Sequence, residues 1–277
     1  MKFAPTLRRI VTACAAAGLV SAATACTPMP AGGGGAADSA LRHVLATNTL
    51  KVATCLSFAP FGFNNAQGQP DGYDVDIAKE LAKETGVKLE IVDTTSSNRI
   101  PNLQTNKVDV VFCNFTRTLE RAKEIAFTDP YVVATEGLLV RSGSGVTSLE
   151  SMKGRSVAVV KGSTNADILR TRGIDVKVAE FDSSQSAVLA VKQGQADAMV
   201  EDSNYLQYQA KLNPGLEVVT SNLVPLEYNA FGVKQGDQVW VDYLNQFLFD
   251  LSSSGKNLEL YHKWFGVDPR FPLRPAF

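Results

Sequence analysis

An α/β protein of two similar lobes is what the sequence predicts, on three observations. From Leu50 onward, short Val-rich apolar runs alternate with amphipathic runs of about ten residues, the pattern of parallel strands joined by crossover helices. That alternation occurs twice, each time as strand, helix, strand, helix, strand over roughly ninety residues, enough for a separate core. The two sets also resemble each other: Val108-Asp109-Val110-Val111-Phe112-Cys113-Asn114 parallels Ala196-Asp197-Ala198-Met199-Val200-Glu201-Asp202. With 277 residues, 45% hydrophobic and 20% charged, the chain suits a cored globule and not a multispanning membrane protein.

Before these sets, an uncharged apolar stretch from Ile10 to Ala25 follows Lys2, Arg8 and Arg9, as in a secretory signal over residues 1–25. The residues around Arg8-Arg9 fit an ordinary basic n-region better than twin-arginine export. Ala23-Thr24-Ala25 before Cys26 satisfies a small-x-small peptidase site. Two processing routes fit. In one, Cys26 becomes the lipid-carrying first residue of a bacterial lipoprotein; in the other, ordinary cleavage frees a soluble periplasmic protein. The first is preferred because the second exports an unpaired thiol, although Ala23 stands where such lipid boxes usually carry Leu. Pro, Gly and Ala without periodicity follow, so residues 26–44 read as the lipidated Cys and a flexible tether. Removing the signal takes three basic residues and no acidic one, moving the net charge from −1 to −4. Lys and Arg are scattered evenly, which excludes the concentrated basic face of a nucleic-acid binder.

In the first set, a strand at Lys51 to Cys55 precedes a helix from Asp74 to Thr85, which has Ile77, Ala78, Leu81 and Ala82 on one face, an acidic first turn and Gly86 as its stop. Strands at Lys88 to Val92 and Val108 to Cys113 flank a short helix starting near Pro101. The second set runs strand Ser156 to Val160, helix Asn165 to Arg172, strand Val176 to Glu180, helix Ser183 to Gln193 and strand Asp197 to Val200, with Gly173 and Gly194 closing the helices. A strand near Phe231 to Lys234 and helices Gln238 to Ser252 and Lys256 to Phe265 complete the chain.

Ligands of open parallel sheets gather beyond the carboxyl ends of the strands. There the first set offers Phe58 as a pocket wall, with Phe61 packing inward beside it. It also offers Asn114-Phe115-Thr116-Arg117-Thr118, with Thr118 as an N-cap and Arg121 one turn into a short helix. A cation is unfavourable at a helix N-terminus, which suggests a carboxylate partner for Arg121 in a bidentate pair. A surface pair with Glu120 or Glu124 explains it equally well. The second set offers Gly162, Ser163 and Thr164 at a helix start, suited to an anion. Order and loop length rule against a nucleotide phosphate loop. Asp202 is a natural cation acceptor, with helix N-capping as its alternative role. Arg, hydroxyls, an Asp and an aromatic face complement a free α-amino acid.

These residues bring the sequence into strong resemblance with the bacterial periplasmic solute-binding proteins of polar amino acid ABC importers, over residues 45–267. Its carriers are Pro60-Phe61, Gly72-Tyr73-Asp74-Val75-Asp76, Asn98-Arg99-Ile100-Pro101-Asn102-Leu103, Val108-Asp109 and the Thr116 to Arg121 run. Phe127-Thr128-Asp129-Pro130-Tyr131, Gly162-Ser163-Thr164, Asp197 and Asp202 continue it. The resemblance implies the type II two-lobe fold, each lobe a mostly parallel sheet flanked by helices, with two hinge strands. Lobe 1 would comprise residues 45–134 and 230–277, and lobe 2 residues 135–229. It further implies that Arg121, Thr116, Ser163 and Thr164 hold the ligand carboxylate, that Asp202 and the Asn114 carbonyl take the ammonium group, and that Phe58 stacks on the ligand body. Position 55, charged in some relatives, is Cys here. Arg99 matches an Arg that reaches a side-chain carboxylate or amide, suggesting an acidic or amide amino acid; helix or rim stabilisation is its alternative.

The resemblance implies a periplasmic monomer partnered with an ABC permease, reaching the membrane only through Cys26, and implies no cofactor or metal. Cys55 and Cys113 end neighbouring strands, so a disulfide there is open: the compartment favours it, the usual geometry of adjacent parallel strands does not. The rival functions are a cyclohexadienyl dehydratase-like enzyme on the same fold, for which Glu201 and Lys161 are the nearest acid and base, and an amino acid sensor. His43 and His262 are remote from the strand ends, and Ser253 with Lys256 lies in a turn between helices.

Overall fold

A computed structural model describes residues 39–220 and 223–273. The stretch expected to be a signal segment, Cys26 and the expected tether up to residue 38 lie outside the described residues.

Two five-stranded sheets follow one plan. In the first, the strands run in the order Lys88–Asp93, Thr49–Thr54, Val110–Thr116, Glu227–Lys234, Ile125–Ala134; in the second, Lys177–Phe181, Ser156–Val160, Ala198–Asp202, Glu136–Arg141, Leu216–Thr220. Four strands of each sheet run in one direction, and one runs against them: Glu227–Lys234 in the first sheet and Glu136–Arg141 in the second, each next to the edge strand. The sheets are therefore mixed, with one reversed strand in each and the other four running together, as expected of mostly parallel sheets. The last two strands of each sheet pass the chain between lobes: Ile125–Ala134 runs into Glu136–Arg141, and Leu216–Thr220 is followed by Glu227–Lys234. Strands of this kind need no crossover helix, so the strand-helix alternation could not signal them. Pro130 is tolerated inside a ten-residue strand because that strand is an edge and the register shifts at its partner Ala230.

Local chemistry explains the elements that carry the cleft. Val110–Thr116 is buried at all seven positions, as a central strand covered on both faces must be. Helix Tyr73–Thr85 buries Ile77, Ala78, Leu81 and Ala82 and places Asp74 and Asp76 in its first turn. Gly72 precedes it at φ +128°, where a Cβ would lie 2.4 Å from the Phe61 carbonyl oxygen. Only glycine lets the loop after the first strand pack so closely on the helix start. Ser183 caps helix Ser184–Gln193 in a capping box with Ser186. Helices Gln238–Ser253 and Lys256–Phe265 return to the first lobe, where buried Trp240 donates to the Asp109 carbonyl at 3.0 Å.

The tether assignment needs correction at its end. Residues Ala40–Thr47 form a helix capped by Ser39; Val44 is fully buried against the first lobe and the Ala40 N–H donates to Asp237 at 2.6 Å. One buried aliphatic residue in so short a helix leaves little periodicity to read. A three-stranded antiparallel ribbon, Ser57–Phe58, Gly62–Asn64 and Pro70–Asp71, also escaped the sequence reading because its strands are two or three residues long.

Candidate functional site

The ends of Thr49–Thr54, Val110–Thr116 and Ala198–Asp202 converge on one cavity between the lobes. It is lined by Cys55, Phe58, Arg99, Asn114, Thr116, Arg121, Ser163, Thr164 and Asp202, so all nine residues singled out from the sequence stand around a shared space. Serine and threonine hydroxyls from Ser57, Thr95, Ser96, Ser183 and Ser184 add to the lining.

Arg121 follows a turn fixed by its own N–H donating to Thr118 Oγ1 at 3.1 Å. The segment Arg121–Lys123 is a single 3-10 turn, and Glu120 pairs with Lys123 at 2.6 Å, so the surface-pair alternative for Arg121 is not what forms. Its guanidinium donates to the Thr116 carbonyl at 2.7 Å and to the Gly162 carbonyl at 3.0 Å and lies 5.0 Å from the Phe115 ring centroid. Among the described residues, Nε and one hydrogen on each Nη meet no hydrogen-bond acceptor and remain for an anion.

Arg99 is more fully committed. Only 3% exposed, it donates to the carbonyls of Ser96, Cys113, Asn114 and Gly162, at 2.9 to 3.4 Å, and sits 4.2 Å over Phe115. One N–H is left to reach a ligand, so the stabilising role takes most of its donors. Both arginines thus meet on the Gly162 carbonyl of the opposite lobe. Gly162 has φ +77°, and a Cβ there would stand 2.7 Å from Ser97 Cα, so glycine is what allows the lobes this close.

On the cation side, Asp202 stands at the N-cap position of helix Ser203–Leu212 but makes no side-chain cap bond. Its Oδ2 accepts from Asn114 Nδ2 at 2.7 Å and Asn229 Nδ2 at 2.9 Å. The Asn114 backbone carbonyl accepts a long bond of 3.4 Å from Arg99, which leaves its second lone pair free for an ammonium group, and the residue sits at φ +44°. Burial raises the Asp202 pKa, and the two amides and Arg99 only partly offset that. Glu201 beside it is pushed up to about 8, first by burial and then by the Asp202 charge.

Phe58 stacks between Phe61, at 5.1 Å, and Tyr205 of the second lobe, at 4.2 Å and 9°. Cys55 and Cys113 are joined by a disulfide across neighbouring strands, their Cα atoms 5.1 Å apart. Sequence reasoning missed Tyr205, Asn229 and two acids, Glu136 and Glu227. Glu136 carried a signal: it is the one charge in the apolar run from Tyr131 to Val140. Spacing suggested no metal-ligand cluster, yet carboxyl oxygens of Glu136, Glu201 and Asp202 lie within 4.8 Å of one another. Neither His43 nor His262 lines the cavity, and Lys161 is paired with Asp182 at 2.7 Å.

Residues 50–267 match the family of bacterial extracellular solute-binding proteins, family 3. The chain belongs to that family. Among its relatives, the ABC transporter glutamine-binding protein GlnH of Bacillus subtilis (strain 168) is 35% identical, over 76% of this chain and 78% of the relative. The glutamine-binding protein of Geobacillus stearothermophilus is 34% identical, over 72% and 78%. Among solved structures, a mutant of ArgBP from T. maritima aligns with a TM-score of 0.78 at 35% identity, covering 82% of this chain and all of that one. An ancestral amino acid-binding protein, a precursor of cyclohexadienyl dehydratase, aligns at 0.77 and 36% identity, covering 82% and 100%. The two lobes joined by crossing strands are the type II architecture of this solute-binding family. No helix among the described residues is long and apolar enough to cross a membrane.

Proposed function

We propose that this protein is the exported ligand-capturing component of an amino acid ABC importer, handing its ligand to a permease. One observation carries the reading: Arg121 from one lobe and Asp202 from the other border the same cavity, a cation and an acid placed for the two ends of a zwitterion. Arg121 grips the carboxylate with Thr116, Ser163 and Thr164. Asp202 takes the ammonium group in exchange for the Asn114 and Asn229 amides, and Phe58 covers the ligand body. Each buried ligand charge then has a partner. For the side chain, the serine and threonine hydroxyls around Arg99 suit an amide, whereas a ligand carboxylate would face Glu201 and Asp182 as well. Anchoring through a lipid on Cys26 belongs to the same proposal.

A thermal-shift screen across the twenty amino acids tests it. An amide amino acid at a hundredfold excess over Kd should raise Tm by about 5 °C or more, since such saturation contributes roughly 2.7 kcal/mol. Arg121→Ala should keep the fold and lose about 3 kcal/mol or more of binding, because a desolvated charge pair loses one partner. Unchanged affinity would remove Arg121 from the site. A catalytic reading has one observation in its favour, the neutral Glu201 carboxyl lining the cavity as a general acid would. Incubation with prephenate or arogenate separates the two: release of the aromatic product establishes the enzyme.

A further inference from the structure

The two chain crossings bring together acids that the ligand does not need. Glu136 opens the strand of the first crossing, and the antiparallel register sets it directly opposite Asp202. Glu227 opens the strand of the second crossing. Glu136, Glu201 and Asp202 are 1%, 6% and 2% exposed. What surrounds them is poor in hydrogen-bond donors. Among the described residues, no N–H or hydroxyl donates to either oxygen of Glu136, to Glu227 Oε2 or to Asn229 Oδ1, although all are buried; what stands within hydrogen-bond reach of Glu136 is the carboxyls of Asp202 and Glu227. Glu227 Oε1 receives Thr164 at 3.4 Å, Glu201 receives Ser184 at 3.3 Å and the Asp202 N–H at 3.1 Å, and Asp202 receives the two amides.

The charged groups facing the cluster do not neutralise it. Arg99 and Arg121 approach from the first lobe but spend donors on carbonyls, and Asp167, from helix Asn165–Arg172, faces Arg121 in competition. Tyr205, on helix Ser203–Leu212, is buried beside Glu201 and stays protonated. Ionised carboxylates only accept hydrogen bonds, and like charges this close and this dry cannot all ionise. The orphaned acceptor oxygens therefore call for a proton, which converts one acceptor into a donor.

Resting on the reading that Asp202 receives the ligand's ammonium group, we propose that this cluster holds at least one proton in the ligand-free protein and releases it when the ammonium group docks, so that capture is coupled to proton release. Glu136 does not line the cavity, and Glu227 borders the adjoining pocket on the far side of Arg121 and Thr164; both act as proton-holding, positioning residues beside Asp202. Burial raises Glu136 well above the carboxylate range, and it raises Glu227 to about 7 and Glu201 to about 8. An arriving cation lowers these values, so protons leave on binding. Affinity then rises with pH through the region of 7 to 8, by up to about tenfold per unit for each proton released.

Infrared titration of the free protein and calorimetry with L-glutamine test the two halves. A carboxyl band that titrates near neutral pH and is missing in Glu136→Gln supports the held proton; its absence from the wild type overturns the proposal. Binding heats that change with the ionisation enthalpy of the buffer, together with a Kd that tightens from pH 6 to 8.5, support the coupling. Buffer-independent heats and a flat Kd overturn it while leaving amino acid binding standing. Glu136→Gln should still bind but with a flattened pH profile; Glu227→Gln serves if that variant does not fold. If no amino acid shifts Tm, the functional reading and the coupling both fall, and the infrared arm still decides the proton. A band abolished by calcium ions would make the cluster a metal site and overturn the proposal as well.

Discussion

The two lobes share a strand order and differ in what holds them. The first is aromatic and stapled: Phe61, Tyr73, Phe112, Tyr131, Phe231, Trp240, Tyr261 and Phe265 are buried in its core, a disulfide ties two strand ends, and the N-terminal and C-terminal helices pack onto it. In the second, one cluster around Leu138, Val157, Val159, Leu169 and Val200 is aliphatic apart from Met152, while the rest of its core, with Val160, Val191, Met199 and Tyr205, is continuous with the first lobe's. Both lobes line the cavity in similar measure: the first brings both arginines and Phe58, the second the acids Asp182, Glu201 and Asp202 with a set of hydroxyls. The same topology is thus a braced platform on one side, with a disulfide and two sets of packed helices, and unstapled on the other, the closing half, and that asymmetry is open to experiment.

Removing the brace has the largest expected effect. The Cys55–Cys113 bond closes a 58-residue separation, and loop-closure entropy gives such a link about 4 kcal/mol at most, with measured values more often 2–4. Cys55→Ser combined with Cys113→Ser should lower stability by that order in denaturant titration. Hydrogen exchange should localise the loss to the strands Thr49–Thr54 and Val110–Thr116. An equal loss in strands of the second lobe would dissolve the distinction between platform and closing half.

Next comes the contact between them. Gly162→Ala places a methyl against the backbone of Ser97 and forces a left-handed residue to carry a Cβ, a combined cost of about 1–3 kcal/mol. The left-handed strain falls on the free lobe and should lower its Tm by a few degrees, while the clash with Ser97 falls on the closed form alone, so ligand affinity should drop by roughly tenfold or more beyond what the Tm loss explains. Small-angle scattering should show a more open ligand-free form. Unaltered affinity would mean that the Gly162 loop is not where the halves meet.

Why so much of this was legible, and some was not, follows from the kind of signal each part left. Helices Asn165–Arg172 and Lys256–Phe265 and strand Ser156–Val160 have the bounds read from the sequence, because a glycine stop or a Val run marks them locally. Of the nine residues singled out for the cavity, Phe58, Thr116, Arg121, Ser163, Thr164 and Asp202 stand at strand ends or helix starts, where open sheets bind, whereas Arg99 and Cys55 were suggested only by the resemblance. The crossing strands left only long apolar runs, and Asn229 lies inside one. Its role depends on Asp202 standing 27 positions away in the sequence, a pairing that no local pattern encodes. The Arg99 contacts were hidden for the same reason: its acceptors at Cys113 and Gly162 belong to different strands and different lobes.

The smallest effect concerns a polar tie inside the platform. Asp76, 7% exposed, receives Lys263 at 2.6 Å, Lys79 at 2.8 Å and the Trp264 indole at 2.9 Å, linking helix Tyr73–Thr85 to helix Lys256–Phe265. Burial by itself would raise its pKa, but the donors from Lys263, Lys79 and Trp264 outweigh that and hold it below the usual carboxylate range. A depressed pKa means that the contribution is present above the unfolded value of about 4 and fades as pH falls through the folded one. Both lysines are half exposed, so solvent screens the ion pairs, and the indole bond supplies most of the specificity. Asp76→Ala should therefore cost about 1–2 kcal/mol at pH 7, constant between pH 5 and 8 and shrinking in acid, as read by denaturant midpoints at several pH values. A gap that persists unchanged at pH 2 would show that the loss comes from packing at the helix junction, and that the platform is stiffened by its aromatic core without help from this carboxylate.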